Sequence, residues 1–264
     1  MSSRSLVLYP IATYAVLACL FGWMFTIADA LGAGIEGGQF PLGPIMAAAL
    51  VSLGLGRPGL RRWGGDLARL RTAPGWYLLA TLGPIAMMAL LVLANGALGA
   101  PLPSAEQLAG WRDLGPTFVA ILIAIGIGEE AGWTAFAAPR LLERYPFVKA
   151  WLVLAAIRTI WHLPLMLDGD LSLVVGIGGN FAFQFVVLWL FRRTGVWFLA
   201  AIWHTVHNVV SGSFLFQMVD GPDQTRLGIL LVIGYGLLAL GLAAVDRRPA
   251  IGADVGRGPA PSPR

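Results

Sequence analysis

The sequence predicts an all-α membrane protein, a bundle of about eight transmembrane helices, and three observations support this fold class. Of the 264 residues, 57% are hydrophobic and only 12% are charged, whereas soluble domains hold about 45–50% apolar and about 25% charged residues. The mean hydropathy is +0.74, which leaves too few polar side chains to cover a soluble surface. The apolar residues also fall into separate runs of about 20, the length that crosses a bilayer.

Eight apolar stretches form the predicted spans, and the second, which carries Pro41 and Pro44, is the shortest. They cover residues 6–28, 41–56, 76–98, 117–138, 148–166, 171–191, 196–216 and 227–245. The first stretch is too long, and is followed by too many others, to be a cleaved signal peptide. We expect one polytopic membrane domain over residues 1–248. A disordered cytoplasmic tail is predicted over residues 249–264, which show no apolar periodicity.

The segment between the second and third spans has a different pattern. Residues 57–74 combine five Arg with Leu60, Trp63, Leu67 and Leu70 at helical spacing. Such a mixture is typical of an amphipathic helix that lies in the headgroup region of a membrane. We therefore predict an interfacial helix at this position.

The distribution of charge predicts the orientation of the chain. With a cytoplasmic N-terminus, fifteen of the 18 basic residues lie on the cytoplasmic side, and Asp or Glu residues dominate the outer loops. The fifteen are Arg4, Arg57, Arg61, Arg62, Arg69, Arg71, Arg140, Arg144, Lys149, Arg192, Arg193, Arg247, Arg248, Arg257 and Arg264. By the positive-inside rule, we expect a multi-pass protein of the cell membrane with both termini cytoplasmic. The same rule accounts for the basic pI, so no nucleic-acid partner is expected.

Two features of composition narrow the class further. A single cysteine, Cys19, excludes intramolecular disulfides and cysteine-based metal clusters. All basic residues except Lys149 are Arg, and Ala and Gly are abundant, a bias that indicates a GC-rich bacterial gene.

A small set of polar residues lies inside the predicted spans. They are Glu129, Glu130, Arg158, His162, Asn180, Gln184, His204, His207 and Asn208. All three histidines of the protein belong to this set. A charged group at the centre of a membrane helix costs about 2.5–3.5 kcal/mol on insertion scales, and such groups usually pair with one another and mark a functional site.

Structural roles compete with functional ones for these residues. The two glutamates can form a buried ion pair with Arg158, and His162, two residues before Pro164, can be a core histidine at a helix break. We interpret His207 as structural. Asn180 and Gln184 are expected to make interhelical hydrogen bonds, a common role of amides in membranes.

The same residue types also suit hydrolysis. A buried carboxylate beside a second carboxylate holds its proton more tightly than usual, and can serve as a general base near neutral pH. A neighbouring histidine can share that proton. His204 and Asn208, four residues apart and so on one helix face, can donate hydrogen bonds to a developing oxyanion. Because no Gly-x-Ser-x-Gly, Asp-dyad or His-Glu-x-x-His pattern is present, the set predicts peptide hydrolysis by an activated water.

Three motifs in this part of the chain resemble those of a known family. Gly-Glu-Glu-Ala-Gly-Trp at 128–133, Trp-His-Leu-Pro at 161–164 and His-Thr-Val-His-Asn at 204–208 are similar to the motifs of the CPBP intramembrane glutamic proteases. That family includes the CAAX prenyl endopeptidases of the Rce1 type and bacterial Abi-like proteins. The similarity covers about residues 115–215.

The resemblance implies a role for each matching residue. Glu129 and His162 would activate the water, His204 and Asn208 would form the oxyanion hole, and Glu130 would be the supporting second acid. It further implies eight transmembrane helices around a catalytic cavity inside the membrane, open toward the cytoplasm, with no metal and no cofactor. In its membrane-lipid environment, the protein would cut a peptide or membrane protein near the cytoplasmic leaflet. The substrate need not be prenylated, because a bacterial chain gives no reason to assume such lipids.

The sequence departs from the family pattern at two positions. The first motif usually reads Glu-Glu-x-x-x-Arg, and Thr134 stands at the Arg position; the second usually has Phe four residues before its His, and here Arg158 stands there. We predict that Arg158 supplies the missing positive charge from a neighbouring helix, within ion-pair reach of Glu129 or Glu130.

Two other functions are compatible with the same residues. One is a catalytically inactive relative that acts as a bacteriocin-immunity or accessory membrane protein. The other is a proton-coupled transporter in which Glu and His form a relay; that function predicts inverted repeats, which the sequence does not show.

Overall fold

A computed structural model describes residues 3–34 and 37–246, and helices account for most of them. The helices are α1 (Ser3–Gly22), α2 (Met24–Ala30), α3 (Gly43–Gly54), α4 (Gly56–Leu67), α5 (Pro74–Ala97), α6 (Ala105–Arg144), α7 (Phe147–Trp161), α8 (Leu163–Leu167), α9 (Val175–Thr194), α10 (Phe198–Val210) and α11 (Gly221–Val245). No strand occurs in these two ranges. The prediction of an all-α membrane protein is confirmed. The predicted tail, 249–264, lies outside the described residues.

The helices differ in whether they can cross a membrane unaided. By length and composition, α5, α6, α9 and α11 can each do so, and α1 with α2 forms a fifth span bent by 56°. The second, fifth and seventh predicted spans contain the shorter helices α3, α7 and α10, of 12, 15 and 13 residues. The number of eight membrane crossings therefore stays a prediction.

Local sequence explains where several helices begin and end. Pro74 opens α5 and Pro222 lies in the first turn of α11, where a missing backbone N–H costs nothing. Ser104 and Gln107 form a reciprocal capping box at the start of α6. Gly195 ends α9 with a φ of 70°, a left-handed conformation that favours glycine.

Contacts between the connecting segments define two ends of the bundle. One end, called here the basic end, holds α4 and the connections after α6 and α9. Its basic side chains are Arg57, Arg61, Arg62, Arg69, Arg71, Arg140, Arg144, Lys149, Arg192 and Arg193. Arg62 pairs with Glu143 at 2.6 Å, and Arg193 pairs with Asp246 at 3.2 Å.

The opposite end, called here the acidic end, holds the connections after α2, α5, α8 and α10. Its acidic side chains are Asp29, Glu106, Asp113, Asp168, Asp170, Asp220 and Asp223, whereas its basic ones are Arg112 and Arg226. Among the described residues the two ends therefore differ strongly in charge. The asymmetry that the sequence shows is thus also an asymmetry in space.

The predicted interfacial helix corresponds to α4, which ends at Leu67 rather than continuing to residue 74. Trp63 is the buried anchor of this helix, and its Nε1 donates to the carbonyl oxygen of Ala131 at 3.0 Å. Leu60 and Leu70 are exposed, so Trp63 rather than the leucines fixes α4 to the bundle.

The core beneath the site is rich in aromatic side chains. Tyr14 packs on Trp133 and Phe136 with ring centroids 5.4 and 5.0 Å apart, and Trp133 packs on Trp161 at 5.8 Å. All four rings are nearly or fully buried. Gly126 of α6 faces the Thr205 side chain of α10 so closely that a β-carbon would overlap it. Small residues of this kind let membrane helices approach each other, and here they bring α10 against the glutamates of α6.

Candidate active site

Both glutamates lie in an irregular part of α6. Residues Gly128–Gly132 form a short α-helical stretch between two π-helical stretches, Leu122–Ile127 and Trp133–Ala137. A third π-helical stretch, Val175–Gly179, precedes Asn180 on α9. Because π-bulges widen a helix and often occur at functional sites, this local geometry distinguishes the polar region from the rest of the bundle.

Arg158 is the centre of the polar cluster. Its Nη2 lies 3.1 Å from Oε2 of Glu129, 2.8 Å from Oε1 of Glu130 and 3.0 Å from Nδ1 of His204. Its Nη1 donates to Oε1 of Gln184 at 3.0 Å. Arg158 is 1% exposed and Glu130 is fully buried. The predicted pairing of Arg158 with the glutamates is confirmed, and so is the interhelical role of Gln184.

The hydrogen bonds of this cluster show which of its atoms donate and which accept. Nη2 of Arg158 carries two hydrogens, which the two carboxylates accept. Nδ1 of His204 lies 3.0 Å from Oε1 of Glu130 and completes the set by donating to it. Two carboxylates against one guanidinium leave one negative charge, and an uncompensated buried charge is costly. A second hydrogen on His204 would balance that charge and would place an Nε2–H donor in the cavity, as an oxyanion donor requires.

Thr134 stands where the family motif has arginine, and it supports the same carboxylate. Its hydroxyl donates to Oε2 of Glu130 at 2.5 Å. Glu130 therefore accepts from Thr134, Arg158 and His204 together. The Glu130 carboxylate therefore joins the guanidinium of Arg158 to the His204 ring.

His162 lies at the junction of α7 and α8, and its tautomer follows from its partner. Nδ1 lies 2.8 Å from the carbonyl oxygen of Arg158. Because a carbonyl oxygen can only accept, Nδ1 carries the hydrogen and the lone pair of a neutral ring is on Nε2. Trp161 packs edge-on against the ring at 4.8 Å. His162 thus has a basic nitrogen and a fixed ring.

One cavity of about 340 Å³ connects these residues. Its polar lining side chains are Gln39, Glu129, Arg158, His162, Asn180, His204, His207, Asn208 and Tyr235. The space would hold about ten water molecules at the volume per molecule of the liquid. The predicted convergence of Glu129, His162, His204 and Asn208 on one cavity is confirmed geometrically. Glu130 does not line it, because Arg158 and His204 cover that carboxylate.

Comparison with known proteins gives one match. Residues 111–210 match the model of the family described as type II CAAX prenyl endopeptidase Rce1-like. This part of the chain is therefore similar to Rce1-like endopeptidases. No curated protein matches the chain. The family points to CAAX-type intramembrane protease activity, and with the apolar helices it indicates a multi-pass membrane protein.

The matched region, residues 111–210, contains the glutamates, His162 and the α10 residues, but two polar residues of the cavity wall lie outside it. Tyr235 of α11 has its hydroxyl 3.1 Å from Nδ1 of His207 and accepts from Nε1 of Trp203 at 3.1 Å. Gln39 donates through Nε2 to the carbonyl oxygen of Trp161 at 2.8 Å. Sequence reasoning missed both, since neither lies in a motif or carries a charge.

Asn180 and Asn208, both in the matched region, differ in the partners of their amides. Nδ2 of Asn180 donates to the carbonyl oxygen of Gly176 at 2.6 Å and lies 3.3 Å from Nδ1 of His162. No protein partner is found for the Asn208 amide within residues 3–34 and 37–246, although the side chain lines the cavity. Asn208 therefore has its donor available to a bound molecule.

A metal would need several ligands close together. Within the same two ranges, no group of three or more His, Cys, Asp or Glu side chains is placed to hold a metal ion. Arg158, a cation, occupies the position between the carboxylates and His204.

Proposed function

We propose that this chain is an intramembrane endopeptidase that hydrolyses a peptide bond with a water activated by Glu129 and His162. The observation that carries the proposal is the shared cavity. It brings Glu129 from α6, His162 from the α7–α8 junction, and His204 with Asn208 from α10 to one polar space. Their chemical types supply both a base and oxyanion donors.

The reaction requires a proton to be moved twice. Glu129 takes a proton from the water while its oxygen attacks the carbonyl carbon of the scissile peptide, and Nε2 of His162 accepts a hydrogen bond from the same water. Nε2–H of His204 and the Asn208 amide donate to the resulting oxyanion. When the C–N bond breaks, Glu129 returns the proton to the amine nitrogen. The products are a carboxylate and an amine.

The proposal also covers the membrane location of the protein, its orientation and its substrate. We expect the protein in the cell membrane of a bacterium, with both termini cytoplasmic, because the basic side chains concentrate at one end of the bundle. The substrate is a peptide or a membrane protein that reaches the cavity from within or beside the lipid. A prenyl group on the substrate is not required by any residue of the site.

The test compares protein termini in membranes that contain the wild-type chain or the Glu129→Gln variant. We expect new termini with the wild type and none of them with the variant, at equal amounts of folded protein. Glu106→Gln, an exposed glutamate at the acidic end, is the matched control and should behave as the wild type. Identical termini with Glu129→Gln and the wild type would support an inactive relative and contradict the proposal.

A further inference from the structure

The cavity at the site continues into a second space toward the acidic end. It shares Leu171, Val175, His207, Asn208 and Leu231 with an adjoining space of about 480 Å³. That second space is lined by residues of the acidic end, and these are Gly169, Asp170, Ser172, Gly212, Gln217 and Gln224. Asp170, Ser172 and Gln217 are exposed. The cavity therefore continues to the surface at the acidic end.

Toward the basic end the same cavity is closed by packed side chains. Every residue of α6 from 128 to 138 is buried, and so is every residue of α9 from 183 to 191. Arg158, Gln184 and Thr134 are each 1% exposed or less, and the aromatic core lies beneath them. Because dense protein interiors leave few voids larger than a water molecule, no peptide can reach Glu129 from the basic end without unfolding this core.

The charge of the two ends tells which side of the membrane each one faces. Basic side chains in short loops remain in the cytoplasm, whereas acidic ones have little influence. The basic end has ten Arg or Lys side chains among the described residues, and the acidic end has Arg112 and Arg226. The acidic end, with the entrance to the cavity, is therefore the extracytoplasmic one.

We infer that the substrate is a peptide segment presented at the extracytoplasmic face, and not the cytoplasmic C-terminus of a protein. This inference rests on the proposed function. It contrasts with the cytoplasmic opening that the family resemblance implies, because a cytoplasmic N-terminus and an entrance at the acidic end place the opening outside. The substrate class becomes secreted peptides and the outer segments of membrane proteins.

Cysteine labelling in intact cells tests the position of the entrance. Ser172→Cys places a thiol at the entrance with minimal change, and Arg61→Cys places one on exposed α4 at the basic end; both are made in a Cys19→Ala background. We expect a membrane-impermeant maleimide to label Ser172→Cys at least tenfold more than Arg61→Cys before permeabilisation, and both equally afterwards. Labelling of Arg61→Cys but not Ser172→Cys in intact cells would overturn the inference.

A second measurement locates the cleavage itself. A quenched fluorescent peptide library that cannot cross membranes is added to sealed right-side-out or inverted vesicles holding wild type or Glu129→Gln. We expect cleavage that depends on Glu129 in right-side-out vesicles, and in inverted vesicles only after detergent. Cleavage in intact inverted vesicles alone would overturn the inference and leave the protease proposal standing. If Glu129-dependent cleavage is missing even in detergent, the protease proposal fails, and the labelling still decides the sidedness.

Discussion

Arg158 lies in ion-pair contact with Glu130, its Nη2 2.8 Å from Oε1, although the two residues come from different helices. The family motif places an arginine four residues after the second glutamate, on the same helix, and Thr134 occupies that position here. Here the cation belongs to α7 instead, and it contacts the carboxylate of that second glutamate, Glu130. The relation suggests that what the site requires is a buried positive charge beside the acids rather than an arginine at one position.

The position of the cation can be tested by exchanging it. Arg158→Phe removes the guanidinium that contacts both buried carboxylates, and breaking a buried ion pair costs about 3–5 kcal/mol. We expect a large fall in melting temperature, and we expect the double variant Arg158→Phe with Thr134→Arg to regain most of it. Exposed Arg112→Phe, the control, should change stability by less than about 0.5 kcal/mol. A double variant no more stable than Arg158→Phe alone would contradict the exchange.

The two glutamates should respond differently to the same substitution. Glu129→Gln keeps the size of a cavity-lining side chain and removes the base, so cleavage should slow by about 10²–10⁴, as for loss of a general base, with little change in melting temperature. Glu130→Gln alters a fully buried group with three hydrogen-bond partners, so it should mainly lower the melting temperature. Both quantities are measured on the same purified proteins. Equal effects of the two variants would be incompatible with separate roles.

Much of the site could be predicted from sequence because its members are polar groups at membrane depth. Glu129, His162 and Asn208 are candidate site residues for that reason alone. Their spacing shows that His204 and Asn208 share a helix face. Arg158 could be placed near the acids by charge balance. Tyr235 could not be found this way, because tyrosine is unremarkable in an apolar helix and its contact with His207 is long-range.

The fold could be predicted from the sequence only as far as hydropathy determines it. Hydropathy identifies apolar stretches, but it does not show that α3, α7 and α10 are short or that α6 contains π-helical stretches around Glu129. Both features depend on how helices pack against one another. Hydropathy also does not show at which end a cavity opens, since that is decided by which side chains fill the bundle.

Asn208 provides the next prediction. Its amide lines the cavity on the same helix face as His204, so it is placed to stabilise an oxyanion. Asn208→Ala should lower the cleavage rate by about 10²–10³, the usual effect of removing one oxyanion donor. Asn95→Ala is a suitable control, because Asn95 is buried but contacts Asp223 and Arg226 at the acidic end. That control should lose stability and keep its rate per folded molecule; an unchanged rate in Asn208→Ala would remove Asn208 from the mechanism.

Asp66 of α4, outside the membrane-spanning helices, predicts a pH dependence of stability. Burial raises the pKa of Asp66 above its ordinary value, and its ion pair with Arg69, at 3.4 Å, involves an exposed partner. The folded state binds the proton of Asp66 more tightly than the unfolded state does, so ionisation of Asp66 lowers the free energy of unfolding above the folded-state pKa. This loss disappears below about pH 4, where the carboxyl group is protonated in both states. We expect Asp66→Asn to raise the melting temperature at pH 8, with a gain that shrinks as the pH falls to 4. Exposed Asp113→Asn should show no such gain. A gain for Asp66→Asn that grew on acidification would contradict a raised pKa of Asp66 in the folded state.

The contact of Tyr235 with His207 leads to a prediction about a tautomer. Nε1 of Trp203 can only donate, so it uses the Tyr235 oxygen as acceptor, and the hydroxyl hydrogen is left for Nδ1 of His207. A neutral His207 then carries its own hydrogen on Nε2, in the wall of the cavity. Tyr235→Phe removes both hydrogen bonds, and we expect a loss of about 1–3 kcal/mol for the buried groups left without partners.

The tautomer is a sharper readout than stability, because packing alone would not change it. In protein labelled with ¹⁵N-histidine, the wild type should show His207 with Nε2 protonated, and Tyr235→Phe should increase the population protonated on Nδ1. Tyr77→Phe is the control, since the Tyr77 hydroxyl bonds to the carbonyl oxygen of Leu70 far from the cavity, and it should leave the His207 signals unchanged. If His207 is protonated on Nδ1 in the wild type, the hydroxyl of Tyr235 is not its donor. The series of hydrogen bonds from Trp203 through Tyr235 to His207 is then absent.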